Sequence, residues 1–200
     1  MSTIWKVGVQ APARVVWLLT LIGLLLFLHT AAPTVRASGS TFIVDRTDDG
    51  GSGCNNKHCT LRGAIENANS SGTFNNIRFS KTINWALNPI ILSASLPTIT
   101  SQGTWIDGSN EDGALVYPVI NANGVGDALV IAASDVTISN LSVYGAPASA
   151  SDIHVLQRAS LGLTTIDTIQ IAYNWIGAPR NRTSCAALSS VNSAGVRVDA

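Results

Sequence analysis

The chain is short of charged residues and above all of lysine. Charged residues make up 12% of its 200 residues, and only Lys57 and Lys81 represent lysine beyond residue 37. No cluster of basic side chains is visible along the sequence. Because nucleic-acid binding depends largely on neutralising phosphates with lysine and arginine, this composition argues against a nucleic-acid partner.

Helical periodicity is also scarce, since only residues 61–69 space their apolar residues as a helix does. The rest consists of short runs rich in Ile, Val and Thr, bounded by turn-forming residues, which predict β-strands. These runs are 41–44, 76–79, 89–92, 104–106, 118–120, 128–131, 135–138, 141–143, 168–171, 175–176 and 195–198.

Many short, evenly spaced strands are compatible with a sandwich, a barrel or a solenoid. The recurring apolar-x-apolar pattern gives each strand one narrow inward face. Asn140 and Asn174 stand where a chain corner needs a left-handed residue, and the segment 138–145 resembles 171–177. These features favour a solenoid and leave a β-sandwich as the alternative.

The first 37 residues have the layout of a secretory signal peptide. Lys6 and Arg14 precede a largely apolar run over 15–28, and small residues follow up to Ala37. The run is shorter than the roughly 20 residues of a spanning helix, so we expect cleavage after Ala37, with an uncleaved anchor as the alternative. Removal leaves nine basic and twelve acidic residues, a net charge of −3. We therefore expect a secreted or cell-surface protein that meets the membrane only through this segment.

Cysteine usage is compatible with export. Cys54 and Cys59 are close in sequence and favour a small disulfide loop, whereas Cys185 stands far from both. Half of a zinc site is the competing interpretation; it requires further ligands, for which His58 and the distant His154 are the candidates.

One short amphipathic helix is predicted over 60–69. Its apolar stripe consists of Leu61, Ala64, Ile65 and Ala68, and Thr60 is placed to be the N-cap. A helix this short is marginal alone and must bury its stripe on a larger structure. We expect it to cover the open end of the β-structure that follows.

Residues 41–80 resemble the CSLREA domain, a module at the N-terminus of exported bacterial β-helix proteins. The resemblance rests on residues 41–44, on Asp48-Asp49-Gly50, on Cys54, on Cys59-Thr60-Leu61-Arg62-Gly63-Ala64-Ile65 and on 76–79, in that order.

Residues 81–200 are similar in style to right-handed parallel β-helices of the pectate-lyase-like superfamily. The match rests on Asn174-Trp175-Ile176-Gly177 and the later Gly195-Val196. The two resemblances imply an all-β fold, a right-handed parallel β-helix with a cap over 38–80 and coils over 81–200. With the signal peptide over 1–37, these regions make up the predicted organisation, and because residues 196–200 look like part of a strand without a cap, we expect the coils to continue beyond residue 200.

The chain departs from the CSLREA signature at Gly63, where the family has glutamate. A glutamate three residues after the N-cap Thr60 would complete a capping box. Glycine also costs about 1 kcal/mol of helix propensity relative to alanine. On this argument Gly63→Glu is expected to raise the melting temperature.

Acidic residues supply the candidates for metal binding and catalysis. Asp45, Asp48 and Asp49 are weak calcium candidates, although Asp-Asp-Gly-Gly is also a strong turn sequence. Glycoside hydrolysis requires two facing carboxylates. The residues available for that role are Asp107, Glu111, Asp112, Asp127, Asp135, Asp152 and Asp167.

The catalytic interpretation of these carboxylates is weak. Asp107-Gly108 is expected to end a strand, and most of the others are isolated beside turn residues, typical of solvated corners. Arg158, Arg180 and Arg182 are the basic residues that a lyase would need. We therefore expect no catalytic site within this segment.

The aromatic residues could form a sugar-stacking surface, but core packing is the favoured interpretation. They are Trp85, Trp105, Trp175, Tyr117, Tyr144 and Tyr173. The sequence thus predicts an exported β-helix protein with a structural, adhesive or carbohydrate-binding role and an extracellular polysaccharide as partner. It predicts no cofactor apart from the weak calcium candidates. The alternative is the non-catalytic N-terminal part of a polysaccharide lyase or glycoside hydrolase.

Overall fold

The computed structural model describes residues 39–51, 53–54, 58–72, 74–156, 167–178 and 194–199. The predicted signal peptide, Cys185 and Arg158, Arg180 and Arg182 lie outside these ranges. The described residues form one helix, α1 (Leu61–Ser71), and twelve strands. The strands are β1 (Thr41–Val44), β2 (Asn76–Phe79), β3 (Ile90–Ile91), β4 (Trp105–Asn110), β5 (Val119–Asn121), β6 (Leu129–Ile131), β7 (Thr137–Ser139), β8 (Ser142–Tyr144), β9 (Ser151–Val155), β10 (Gln170–Ala172), β11 (Trp175–Ile176) and β12 (Ala194–Val198).

The twelve strands pair in parallel within three sheets. The first sheet has the order β1-β2-β4-β7-β10, the second β11-β8-β5-β3 and the third β12-β9-β6. From β4 onward the chain enters the first, second and third sheets in turn, and it does so three times. The described residues are thus mostly β-structure in parallel sheets with one helix, in agreement with the predicted all-β class.

The core is built from apolar side chains that stand opposite one another in neighbouring strands. One such row crosses the first sheet through Phe42, Ile77, Ile106, Ile138 and Ile171. A second row crosses the second sheet through Ile90, Ile120, Val143 and Ile176. The interior members of both rows are fully buried. Burying one such side chain contributes about 1.5–3 kcal/mol, which makes these rows the main stabilising feature.

Strand β9 is absent from the predicted strands. Ile153 and Val155 alternate with polar neighbours there as in the other strands, and Ile153 pairs with Leu129 and Val196 in the third sheet. Asp152, predicted at a solvated corner, is instead completely buried in this strand. The alternation of apolar and polar residues was present in this segment, but the charged Asp152 and His154 led to its being left out of the predicted strands.

Strand β4 runs through Asp107 and Gly108, which were expected to end it. The strand continues to Asn110, and Asp107 is buried. A Cβ atom on Gly108 would overlap the carbonyl oxygen of Asn140. Glycine here therefore allows the close approach of two chain segments and does not mark a turn.

The chain corner between the first and second sheets uses asparagine in two ways. Asn140 is left-handed, with φ of 59°, as predicted, but in the next pass Tyr173 takes that conformation and not Asn174. Asn174 acts through its side chain: Nδ2 donates to Ile138 O at 2.8 Å and Oδ1 accepts from Leu141 N at 2.9 Å. It thereby satisfies two backbone groups of the preceding corner.

Helix α1 begins after Thr60 and ends before Gly72. Thr60 Oγ1 accepts from Gly63 N at 3.1 Å, and Gly72 takes a left-handed conformation with φ of 66°. The apolar stripe Leu61, Ala64, Ile65 and Ala68 is buried in one cluster with the sheet residues. The helix packs on β1 and β2 and extends two residues past the predicted end.

The polar side of α1 is tied to residues 98–101, which precede β4. Asn69 Nδ2 donates to Thr98 O at 2.7 Å, while Asn69 Oδ1 accepts from Thr100 N at 2.8 Å and Ser101 N at 3.2 Å. This amide satisfies three backbone groups on one side of the segment, whose Ile99 bridges to Ile131, and so ties the last turns of α1 to it.

Gly63 packs directly against the loop that precedes the helix. A Cβ atom built on Gly63 would lie 2.7 Å from Gly53 O and 2.8 Å from Gly53 C. This contact argues against the expectation that Gly63→Glu raises the melting temperature, because the loop at Gly53 must shift to admit a side chain. The neighbour at Gly53 comes from outside the helix and is not visible in the helix sequence alone.

Candidate functional site

Trp105 exposes its indole ring on the outer face of the first sheet. The residue is 41% exposed, and its Nε1 donates to Ser139 Oγ at 2.9 Å. Because the polar edge of the ring is satisfied by the protein, the indole offers solvent a positioned apolar surface.

A buried polar network underneath holds Ser139 in place. Asp107 accepts from Ser109 Oγ at 2.6 Å and from Asn140 Nδ2 at 3.0 Å, and Ser139 Oγ lies 3.4 Å from Asp107 Oδ1. Asp107 is 5% exposed, so its carboxylate serves this network. The consequence is an indole anchored to a rigid support.

Polar residues stand beside Trp105 in the neighbouring strands on both sides. Asn76, Trp105, Thr137 and Gln170 stand opposite one another in β2, β4, β7 and β10. Neighbouring strands lie about 4.8 Å apart, so the four side chains span about 14 Å across the sheet. We call these four residues the Trp105 row; it combines one aromatic ring with two amides and a hydroxyl.

The remaining described tryptophans and Tyr173 lie in different environments. Trp85 is buried, with its ring 5.2 Å from Phe79 in an edge-on arrangement and its Nε1 donating to Ser80 O. Trp175 and Tyr173 are exposed, at 48% and 82%. The prediction that the aromatic residues pack in the core is therefore correct for Trp85 and wrong for Trp105, Trp175 and Tyr173.

An open polar depression of about 400 Å³ lies between the segments that follow β1 and β2. Its lining residues are Asp45, Arg46, Thr47, Asp48, Thr82, Ile83, Asn84 and Asn88. Such a surface suits a small polar ligand, but no aromatic side chain lines it.

The three calcium candidates have three different sets of partners. Asp45 Oδ1 accepts from Cys59 N at 2.7 Å, and Asp48 pairs with Arg46 at 2.9 Å. Asp49 binds Arg62. Across the described ranges, no three His, Cys, Asp or Glu side chains converge in a way that could hold a metal ion. The structure thus gives these aspartates structural hydrogen-bond roles.

Asp49 is strongly held in its charged form. Burial by itself would raise the pKa of this carboxyl group, but hydrogen bonds from Arg62 and from Ser93 N and Oγ outweigh burial and lower it. The lowered pKa agrees with an ion pair that joins the helix to two loops.

Four of the catalytic candidates lie in two pairs, and each pair includes a carboxylate bound to a neighbouring side chain or backbone group. Glu111 Oε2 accepts from Lys81 N, and Asp112 pairs with Lys81 Nζ on the surface. Asp135 accepts from Gln102 Nε2, and Asp167 O accepts from Asp135 N.

One further cluster forms on the third sheet around His154. Asp127 Oδ2 lies 2.9 Å from His154 Nδ1, and Asp199 Oδ2 lies 2.9 Å from His154 Nε2. Arg197 stands opposite His154 in β12. We call these four residues the His154 cluster. No local sequence pattern predicts this cluster, because its members come from three distant segments.

The cysteine pair lies where the disulfide prediction requires. Cys54 and Cys59 are at disulfide distance from each other. Their loop adjoins Gly53, which packs on α1, and His58 Nδ1 lies 3.3 Å from Arg46 Nη1. A disulfide bond between Cys54 and Cys59 would restrain the loop that leads into α1.

The chain has no match among protein-family models, curated proteins or solved structures. Within the described residues, no helix has the length and apolar character needed to cross a membrane. The functional conclusion therefore depends on the geometry of the site itself.

Proposed function

We propose that this is an exported β-helix protein with a structural or adhesive role that binds extracellular carbohydrate through the Trp105 row. The observation that carries the proposal is the exposed, internally anchored indole between Asn76 and Thr137. The apolar C–H face of a sugar ring stacks on such an indole, and the Thr137 hydroxyl beside it and the exposed Gln170 amide beyond suit its hydroxyl groups. Asn76 flanks the ring on the other side, but its Oδ1 is buried.

The β-helix part of the proposal is supported by strand order. Three successive passes through the same three parallel sheets are what a chain winding into a solenoid produces. A solenoid core needs a cover at its end, and α1, packed on β1 with its stripe buried, suits that role. The CSLREA-like order of residues 41–80 is consistent with this cap.

Export is tested by the intact mass of the secreted protein with and without reductant. We expect a chain that starts at Ser38 and is two hydrogens lighter before reduction, reporting the bond between Cys54 and Cys59. A chain that retains residues 1–37 with both thiols free contradicts the export proposal.

Carbohydrate binding is tested by titrating polysaccharides against the purified protein and following tryptophan fluorescence. Trp105→Ala is expected to weaken binding at least tenfold, since a stacking contact with an anchored ring is lost. Trp175→Ala is the matched control, expected to bind as the wild type does, because Trp175 is similarly exposed, lies on the second sheet and is outside the row. Equal binding by the wild type and Trp105→Ala contradicts the assignment of the row.

A further inference from the structure

Arg78 stands on the outer face of β2, two residues beyond Asn76 of the Trp105 row. Side chains alternate along a strand, and the buried Ile77 and Phe79 take the inner face, so Arg78 and Asn76 share the outer one. Asn76 is opposite Trp105, which places Arg78 one strand and two residues from the indole. At about 4.8 Å per strand and about 3.3 Å per residue, the Cα atoms of Arg78 and Trp105 are about 8 Å apart.

The guanidinium of Arg78 has no counter-charge. Its Nε is buried without an acceptor, and among the residues that the structure describes the side chain makes no hydrogen bond and no ion pair. The residue as a whole is partly exposed, so the charged end of the side chain is reachable from solvent. A guanidinium offers a planar fork of donors that matches the oxygens of an oxyanion. Arg78 is thus a cation with donors to spare on the face that carries the Trp105 row.

Strand β4 is irregular directly beside Arg78. In the pairing of β2 with β4, this one residue faces three residues of β4, from Asp107 to Ser109. Such bulges re-aim side chains and are common next to functional sites. Asp107 is the nearest carboxylate in register, but its oxygens accept from Ser109 Oγ and Asn140 Nδ2, and it forms no ion pair with Arg78. Arg78 therefore remains available to a ligand.

Arg78 supplies the positive charge on this face. The other outer residues in the register rows of Trp105 and Arg78, Asp107 excepted, are uncharged: Thr41, Ile43, Asn76, Trp105, Thr137, Ser139, Gln170 and Ala172. Residues 38–200 carry nine basic and twelve acidic side chains, a net charge of −3. The overall charge therefore disfavours an anionic ligand, and a preference for one requires a local contact.

We propose that Arg78 selects an anionic sugar at the Trp105 row. The sugar stacks its C–H face on the indole, and its carboxylate or sulfate group accepts from the guanidinium. This inference deepens the proposed carbohydrate binding and rests on it. Charge-assisted hydrogen bonds are roughly twice as strong as neutral ones, so the anionic group decides which polysaccharide is preferred.

The test compares three soluble derivatives of one polysaccharide backbone by isothermal titration calorimetry on the full chain. Hydroxyethylcellulose is neutral, carboxymethylcellulose carries carboxylates and cellulose sulfate carries sulfates, so the last two distinguish the sources of the anion. We expect the wild type to bind one of the anionic polymers about tenfold more tightly than the neutral one. This preference should weaken as salt is added.

Arg78→Gln should abolish the preference and leave the affinity for hydroxyethylcellulose unchanged. Arg78→Lys, which keeps the charge and loses the fork, should retain part of the preference. Arg46→Gln is the control, because it removes the same charge from an exposed pair with Asp48 and should keep the full preference.

The failure of this inference differs from the failure of the carbohydrate site. Equal wild-type affinities for the three polymers, all lost in Trp105→Ala, overturn the role of Arg78 and leave the row intact. A preference that survives in Arg78→Gln overturns it as well. Tighter anionic binding that Trp105→Ala leaves unchanged contradicts the row, and binding of none of the polymers contradicts both. Because the wild-type affinities alone decide whether a preference exists, misfolding of a variant does not block the test.

Discussion

Arg62 donates from Nε and Nη2 to the two carboxylate oxygens of Asp49, at 3.1 and 2.8 Å. The same guanidinium donates to Ala94 O at 2.7 Å and to Ser95 O at 2.8 Å. One side chain of α1 thus joins the loop after β1 to the segment after β3.

Asp49→Asn is expected to lower the free energy of unfolding by about 3 kcal/mol, because it leaves the largely buried Arg62 without its charged partner. Urea denaturation at pH 7 measures the loss. Arg46→Gln, which removes the exposed pair with Asp48, is the control and should change nothing resolvable. If both variants lowered the free energy of unfolding equally, the buried pair would contribute no more to stability than the exposed one.

The same pair predicts a pH dependence. The pKa of Asp49 is lower in the folded than in the unfolded chain, so its contribution is present above the unfolded value of 3.8 and is lost as pH falls through the folded value. The stability difference between wild type and Asp49→Asn should therefore shrink as pH falls below about 4. Denaturation curves at several acidic pH values measure it; a constant difference contradicts the assignment.

Gly63→Ala is expected to lower the melting temperature, although alanine has the higher helix propensity. The added Cβ would meet Gly53 backbone atoms at 2.7–2.8 Å, so the loop must shift. Gly50→Ala is the control, since its Cβ would meet only Asp48 Oδ2, at 3.8 Å. Thermal unfolding by circular dichroism compares them. A higher melting temperature for Gly63→Ala would show that the loop at Gly53 accommodates a side chain and that helix propensity outweighs the contact.

Asp152→Asn is expected to stabilise the protein at neutral pH. Burial raises the pKa of Asp152 to about 6, although a hydrogen bond from Ala146 N to Oδ1 and the nearby Gly177 N–H dipole lower it. Oδ2 has no hydrogen-bond partner within the described structure.

Since the folded pKa lies above the unfolded value of 3.8, the favourable contribution of the protonated acid is complete below pH 3.8 and is lost as pH rises through about 6. The gain from Asp152→Asn should approach roughly 3 kcal/mol above pH 7 at most, and vanish near pH 3.5. Denaturant titrations across this range measure it. A gain that does not change with pH would mean that Asp152 stays ionised throughout.

Asn174→Ala is expected to cost about 2 kcal/mol, because Leu141 N and Ile138 O lose their side-chain partner. Amide exchange at Leu141 is the sharper measurement and should accelerate. Asn88→Ala is the control, since its amide bonds only Asn84 O on an exposed turn. Unchanged protection at Leu141 would contradict the corner role of Asn174.

Much of the local structure was predictable. Alternating apolar residues located eleven of the twelve strands, because a strand with one buried face must repeat every two residues. The stripe from Leu61 to Ala68 and the hydroxyl of Thr60 located α1 for the same local reason. The ends of three strands (β1, β2 and β11) match the prediction, and the others differ by up to four residues, since pairing with neighbours decides where a strand stops.

The candidate sites were not predictable in the same way. Whether Trp105 is core or surface depends on which face of β4 packs inward, and its anchor, Ser139, is brought alongside by strand pairing. His154, Asp127 and Asp199 meet because β6, β9 and β12 are neighbours in the third sheet. No local sequence pattern predicts contacts between residues so far apart in the chain.

The sequence by itself determined the short β-strands, the single capped helix and the close cysteine pair, all of which follow from the spacing of residues a few positions apart. Only the tertiary structure decided that Gly63 must lack a side chain, that Asp152 is buried and that Arg62 joins two loops. Those outcomes depend on backbone and side-chain atoms from distant segments, whose positions are set by strand register and not by local propensity.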